Sequence, residues 1–127
     1  MPPYVPSTEQ LVVEVYARDL PRSLEFYRAL GFEVQSAEDD FVVLAWENHR
    51  FFLEPRLDLP APIDQPQANV RIMVPDVDVY WAIAQQIGAR VIKPIEDRYY
   101  GLRDFTIADP DGLGLRFGSR LIEPAAV

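Results

Sequence analysis

Twice along the chain an alternating run of apolar and polar positions gives way to a helical period, and the second occurrence repeats the first. Within LVVEVYARDLPRSLEFYRALGFEV, residues 11–34, Leu11, Val13 and Val15 share one side of an extended strand. Past Asp19 the apolar positions are Leu20, Leu24, Tyr27 and Leu30, a single stripe along a helix. The segment VRIMVPDVDVYWAIAQQIGARV, residues 70–91, lies over the first at one constant offset and without a gap. There Val70, Ile72 and Val74 form the strand side, and Val77, Trp81, Ala84 and Ile87 form the stripe. This spacing assigns Tyr27 and Trp81 to core packing. Asp19 and Asp76 stand where an N-cap carboxylate accepts from the free amides of the first turn, and Gly31 and Gly88 stand where a left-handed residue ends a helix. Pro21 is tolerated in that first turn, which does not need its amide.

Each helix is followed by strand material in hairpins. Residues 41–46 (FVVLAW) and 50–54 (RFFLE) flank a polar turn at residues 47–49, and residues 103–108 and 113–118 flank Asp-Pro-Asp-Gly. In that second turn Pro110 pre-sets φ and Gly112 can take positive φ. Residues 55–67, PRLDLPAPIDQPQ, are proline-rich and aperiodic, which predicts a linker inside one domain, 1–127. The pattern is therefore α+β, with βαβββ modules at residues 10–54 and 68–118.

Composition narrows the chemistry. The chain has 127 residues and no cysteine, so disulfides, iron–sulfur clusters and thiolate zinc sites are excluded. Its net charge of -8 disfavours nucleic acid and mildly favours cationic or neutral ligands. No apolar run is long enough to span a membrane, and MPPYVPSTEQ lacks the order of a signal peptide, so a soluble, cytoplasmic protein without membrane partners is expected. That N-terminal stretch reads as a frayed end rather than an arm crossing to another subunit. The one histidine, His49, falls in a predicted turn and reads as solvated; a Ser-His-Asp triad would need it. The glycines of DGLGL lack the spacing of a phosphate loop.

The motifs RDLPRSLEFYRALGFEV, VPDVD and GLRDFTIADPDG, on two βαβββ modules, resemble the vicinal oxygen chelate superfamily. This group includes glyoxalase I, extradiol dioxygenases, and fosfomycin- and bleomycin-resistance proteins. Tyr100 before Gly101 is similar to the metal-free bleomycin-resistance branch. The resemblance covers residues 11–117 and implies a curved mixed sheet with a concave cup, paired in a homodimer. In that branch it implies sequestration of a bulky antibiotic in clefts between subunits, without chemical change to it.

Alternation indicates which residues face such a cup. If Val13, Val15, Val70 and Ile72 pack on the helices, Val12, Glu14, Tyr16, Asn69, Arg71 and Met73 face the other way, joined by Phe52, Glu54 and Arg116. Metal-using members draw four ligands from inward positions, which match Val12, Asn69, Arg116 and, within one or two residues, Glu54. Val12 has no donor, Asn69 is a weak one, and Arg116 would repel a cation, so no metal and no cofactor is expected. The ionised groups must meet water or one another. Either Glu14 with Arg71 and Glu54 with Arg116 bridge the repeat, or they face a ligand.

Trp46, Phe52, Tyr99 and Tyr100 fall near the expected rim, where flat rings suit a planar ligand. The expected ligand-binding set is thus Glu14, Tyr16, Trp46, Phe52, Glu54, Asn69, Arg71, Tyr99, Tyr100 and Arg116. No catalytic residue is assigned, and a metal-independent protein that sequesters an antibiotic-like aromatic molecule is favoured over an enzyme. The alternative is a glyoxalase- or dioxygenase-like lyase or isomerase using Glu14 or Glu54 as base or metal ligand.

Overall fold

A computed structural model describes residues 2–122, in two compact units divided between Ala61 and Pro62. The division falls inside the predicted linker. Each unit is one βαβββ module built on its own four-stranded mixed sheet.

In module one, β1 (Val13–Ala17) leads into α2 (Leu20–Leu30), which follows the short α1 (Ser7–Gln10). Then come β2 (Glu33–Ala37), β3 (Val42–Trp46) and β4 (His49–Pro55). The sheet order is β1-β4-β3-β2, with β1 parallel to β4 and the hairpin strands antiparallel. The Asp19 carboxylate accepts from the Arg22 amide at 3.2 Å, and Gly31 closes α2 at φ 113°, as the sequence predicts. Tyr27 is fully buried, with the rings of Phe26, Phe32 and Phe51 packed at 5.1–5.5 Å. Phe51 and Leu53 face this core, whereas Val13, expected there, is 43% exposed. It lies at the start of edge strand β1.

Two expectations for this module are corrected. β4 begins at His49, directly opposite Trp46, so the turn shrinks to Glu47 and Asn48, with Glu47 at φ 53°. The N-terminal stretch is not frayed where it is described: Ser7–Gln10 forms a helical turn, and Glu9 meets Arg50 at 3.1 Å. Both partners are exposed, so this contact adds little stability. Met1 lies outside the described residues.

Module two repeats the plan with β5 (Asn69–Met73), α3 (Val77–Gln86), β6 (Arg90–Asp97), β7 (Leu102–Ala108) and β8 (Gly114–Arg120), ordered β5-β8-β7-β6. Asp76 caps α3 by accepting from the Asp78 amide at 3.2 Å, and Gly88 follows the helix at φ 67°. Ser119 on β8 accepts from the Val77 amide at 2.8 Å and donates to the Val74 carbonyl at 2.7 Å, which ties the helix start to the sheet. The core is aromatic again: Phe117 is fully buried and stacks between Tyr80 and Phe105, while Trp81 tilts onto Phe105. Ile87 is 36% exposed, so the buried stripe ends one turn earlier, at Ala84.

The turn between β7 and β8 is held by Asp109, whose Oδ1 accepts from the amides of Asp111 and Leu113 at 2.8 and 2.9 Å. Gly112 takes φ 99°, and a Cβ there would stand 3.1 Å from the Pro62 Cβ. Arg90 donates to the carbonyls of Ile63 and Asp64, so the end of the linker is fastened to module two. Gly112→Ala would strain both the backbone and the Pro62 contact and should cost more than about 1 kcal/mol. A thermal melt should show Tm falling by about 3 °C or more.

Candidate functional site

The sheet face opposite α2 carries Glu14 and Tyr16 on β1 beside Phe52 and Glu54 on β4. The parallel register sets Glu14 against Phe52 and Tyr16 against Glu54. The Arg56 guanidinium lies 4.1 Å from the centre of the Tyr16 ring, a cation–π contact, and Phe41 packs on Phe52. A hydrogen bond to Glu54 raises the Glu14 carboxyl above its ordinary value, helped by partial desolvation and by the Glu54 charge. Two carboxyls this close can bind a cation or serve as a weak acid–base pair. Trp46 is on the other face: it shares the side of β3 that carries Val42 and Leu44 and meets Phe32 edge-on at 5.1 Å. The structure therefore brings Glu14, Tyr16, Phe52 and Glu54 together and leaves Trp46 on the helix side of the same sheet.

In module two the corresponding face holds Asn69 and Arg71 on β5, Arg116 on β8, and Asp104 and Thr106 on β7. Asp104 is its centre. Only 2% exposed, it accepts from Arg98 Nε at 2.8 Å through Oδ1. Its Oδ2 accepts from Arg116 Nε at 3.0 Å, Arg116 Nη2 at 2.8 Å and the Tyr100 hydroxyl at 2.6 Å. Burial pushes the Asp104 carboxyl up, but the Tyr100 hydroxyl and the two guanidiniums outweigh it and hold the group below its ordinary value. Burial, then the bond to Asp104, raises the Tyr100 phenol. Arg98 also donates to Glu96 and to the Pro94 carbonyl, so its donors are committed. The Arg116 guanidinium lies 5.1 Å from the Tyr100 ring centre.

Within each module these charges find neighbours in their own sheet. Arg116 takes its carboxylate from Asp104 in its own sheet, and the group facing Glu14 is Glu54 in its own sheet. Asn69 lies over Gly114, where a Cβ would overlap its side chain. Tyr99 is fully exposed at the β6–β7 turn and touches Tyr100 edge-on. Asp104 and Arg98 were not anticipated. The signal for Asp104 was present: counted outward from Asp-Pro-Asp-Gly, Thr106 pairs with Arg116 and Asp104 lies on the same face, diagonal to that arginine.

The registers narrow the counting of metal positions within the one or two residues allowed around Glu54. Phe52 stands opposite Glu14 as Arg116 stands opposite Arg71, so Phe52, two residues before Glu54, is the counterpart of Arg116. Taken module by module, Val12 and Phe52 offer no donor atom, and Arg116 beside Asn69 is a guanidinium already fixed on a carboxylate, so these positions do not suit a divalent ion. Among the described residues no three His, Cys, Asp or Glu side chains gather as such an ion would need. Nor is any described helix long and apolar enough to cross a membrane.

Solved structures share this fold. A glyoxalase/bleomycin resistance protein/dioxygenase from Alicyclobacillus acidocaldarius superposes with a TM-score of 0.72 at 19% identity, covering 93% of this chain and 96% of that one. A bleomycin-binding protein in complex with bleomycin gives 0.68 at 16% identity, with 88% and 98% covered. A lactoylglutathione lyase from Agrobacterium tumefaciens gives 0.69 at 19% identity, with 91% and 96% covered. No curated protein matches the sequence. The family model for the Glyoxalase/Bleomycin resistance protein/Dioxygenase superfamily matches residues 10–117, nearly the whole of both modules, and the chain belongs to that superfamily.

Proposed function

We propose that the chain binds a bulky aromatic, antibiotic-like small molecule and sequesters it unchanged, as a cytoplasmic homodimer that needs no metal or cofactor. The observation that carries this reading is Arg116, a guanidinium bonded to buried Asp104 where a metal-using relative would present a ligand. Exposed rings support it: Tyr16, Tyr99 and Tyr100 offer flat apolar area at small entropic cost. The fold shared with a bleomycin-binding protein supports a drug-sized ligand, and the net charge of -8 suits a cationic one. The test is calorimetric titration with a bleomycin-class glycopeptide and with flat aromatic antibiotics. Saturable binding at low micromolar concentration or tighter, with the drug recovered unchanged, is expected. A stoichiometric metal in the purified protein, or a chemically altered drug, would overturn the reading.

The Glu14–Glu54 pair favours a second reading, an enzyme of the glyoxalase type acting on a small substrate. A carboxyl raised by its neighbour is a candidate general base, and a lactoylglutathione lyase shares the fold. On that reading Glu14→Gln abolishes turnover and leaves binding intact.

A further inference from the structure

The face of module two opposite α3 holds more positive charge than it neutralises, and the surplus is concentrated at one place. Arg71 and Arg116 stand opposite each other in the parallel register of β5 and β8, so two arginine side chains leave adjacent strands on one face. Like charges in that position repel, and a sheet ordinarily places a carboxylate between them. Here the available carboxylate is Asp104, and it is spent. Its oxygens take Arg98, the Nε and Nη2 of Arg116, and the Tyr100 hydroxyl. Among the described residues Arg71 meets no carboxylate of its own module, and it is exposed. Arg116 bonds Asp104 through Nε and Nη2, and its side chain is still 28% exposed.

The two arginines differ in a way that suits capture of an anion. Arg116 is held rigidly: two of its nitrogens and the Tyr100 hydroxyl converge on one buried carboxylate oxygen. Its orientation is therefore set before any ligand arrives, which lowers the ordering cost of binding. Arg71 is the movable partner and can close on the same group. Guanidiniums match the paired oxygens of a carboxylate or phosphonate, and two of them at one point form a clamp. Beside the clamp, Met73 and Tyr100 are 39% and 46% exposed, and Gly118 puts no side chain between Met73 and Asp104. The surroundings thus offer apolar contact for the body of a molecule whose charged end the arginines hold.

We infer that Arg71 and Arg116, with Asp104 as the residue that positions Arg116, form an oxyanion site for a ligand bearing a carboxylate or phosphonate on an apolar, aromatic body. This rests on the small-molecule-binding reading and narrows it to anionic ligands, against the attraction of the acidic chain as a whole for cations. The test uses the full chain and three probes of one shape: 2-naphthoate, 2-naphthylphosphonate and the neutral 2-naphthamide. Binding is followed by NMR, including the arginine Nε–H signals. At least one anion should bind at least tenfold tighter than the amide and shift the Arg116 Nε signal. Which anion binds tighter separates carboxylate from phosphonate ligands. Arg71→Gln, an exposed substitution that leaves the core untouched, should weaken the anion at least tenfold and leave the amide unchanged. Equal binding of acid and amide, indifference to Arg71→Gln, or no binding of any probe would each overturn the anion site. The antibiotic titration stands apart from these outcomes, so binding of a neutral or cationic drug would sustain the broader reading while this one falls.

Discussion

Asp104→Asn should unfold at clearly lower urea concentration than the wild type and lose ligand affinity with it. The amide preserves volume but removes the charge on which Arg98, Arg116 and Tyr100 converge, and it turns an NH2 toward groups that are themselves donors. Removing one partner of a buried ion pair costs about 3–5 kcal/mol. The Arg98 and Arg116 side chains are 17% and 28% exposed, so water relieves part of the loss and about 3 kcal/mol is expected. That is a large share of the roughly 5–15 kcal/mol stability of a domain. The pH dependence supplies an independent check. The folded carboxyl lies below its ordinary value, so its contribution is complete above the unfolded pKa of about 4 and is lost as pH falls through the folded pKa. Acidification below about pH 4 should therefore cost the wild type more than it costs the Asn variant. Parallel stability curves for the two proteins would show that the cluster does not hold the fold.

Phe117→Ala should be as damaging to stability, or more so, yet should spare the site. Phe117 is fully buried, with Tyr80 at 5.2 Å and Phe105 at 5.5 Å in stacked geometry. Truncation removes a ring from between two others and leaves a cavity that the sheet and α3 cannot close, a change that costs about 3–5 kcal/mol. It lies next to Arg116 in sequence but on the opposite face of β8. Measured where both proteins remain folded, Phe117→Ala should bind ligand like the wild type, while Asp104→Asn should not. If Phe117→Ala also lost affinity without unfolding, the separation of the two faces into core and site would be wrong.

Local pattern carried much of this protein. The helices were legible because each pairs an N-cap aspartate with a trailing glycine around one apolar stripe, and such signals act within a few residues. The Asp-Pro-Asp-Gly hairpin was legible for the same reason, down to the positive φ of Gly112. His49 was misplaced because a two-residue turn needs Glu47 at positive φ, a conformation that a glutamate does not advertise. Val13 was placed in the core by alternation, which reports the side of a strand and not how far the helix covers it.

The site was legible only as a list of faces. Alternation grouped Glu14, Tyr16, Phe52 and Glu54, and it set Arg71 with Arg116, because the period of a strand is a local property of the backbone. Trp46, assigned to the rim as a flat ring and not by alternation, points to the helix side and meets Phe32. Which charges pair was decided by strand register and side-chain reach, neither of which a single strand's pattern contains. Arg98 reaches back from the β6–β7 turn and Tyr100 folds down beside it, so that Asp104, one more acidic residue in the sequence, becomes the anchor of Arg116. The sequence by itself determined two modules, their caps and their faces, since these follow from short-range sterics and periodicity. Only the tertiary structure decided that Arg116 is held on Asp104 while Arg71, among the described residues, meets no carboxylate of its module, because that depends on which groups the hairpin brings within about 3 Å of one buried carboxylate.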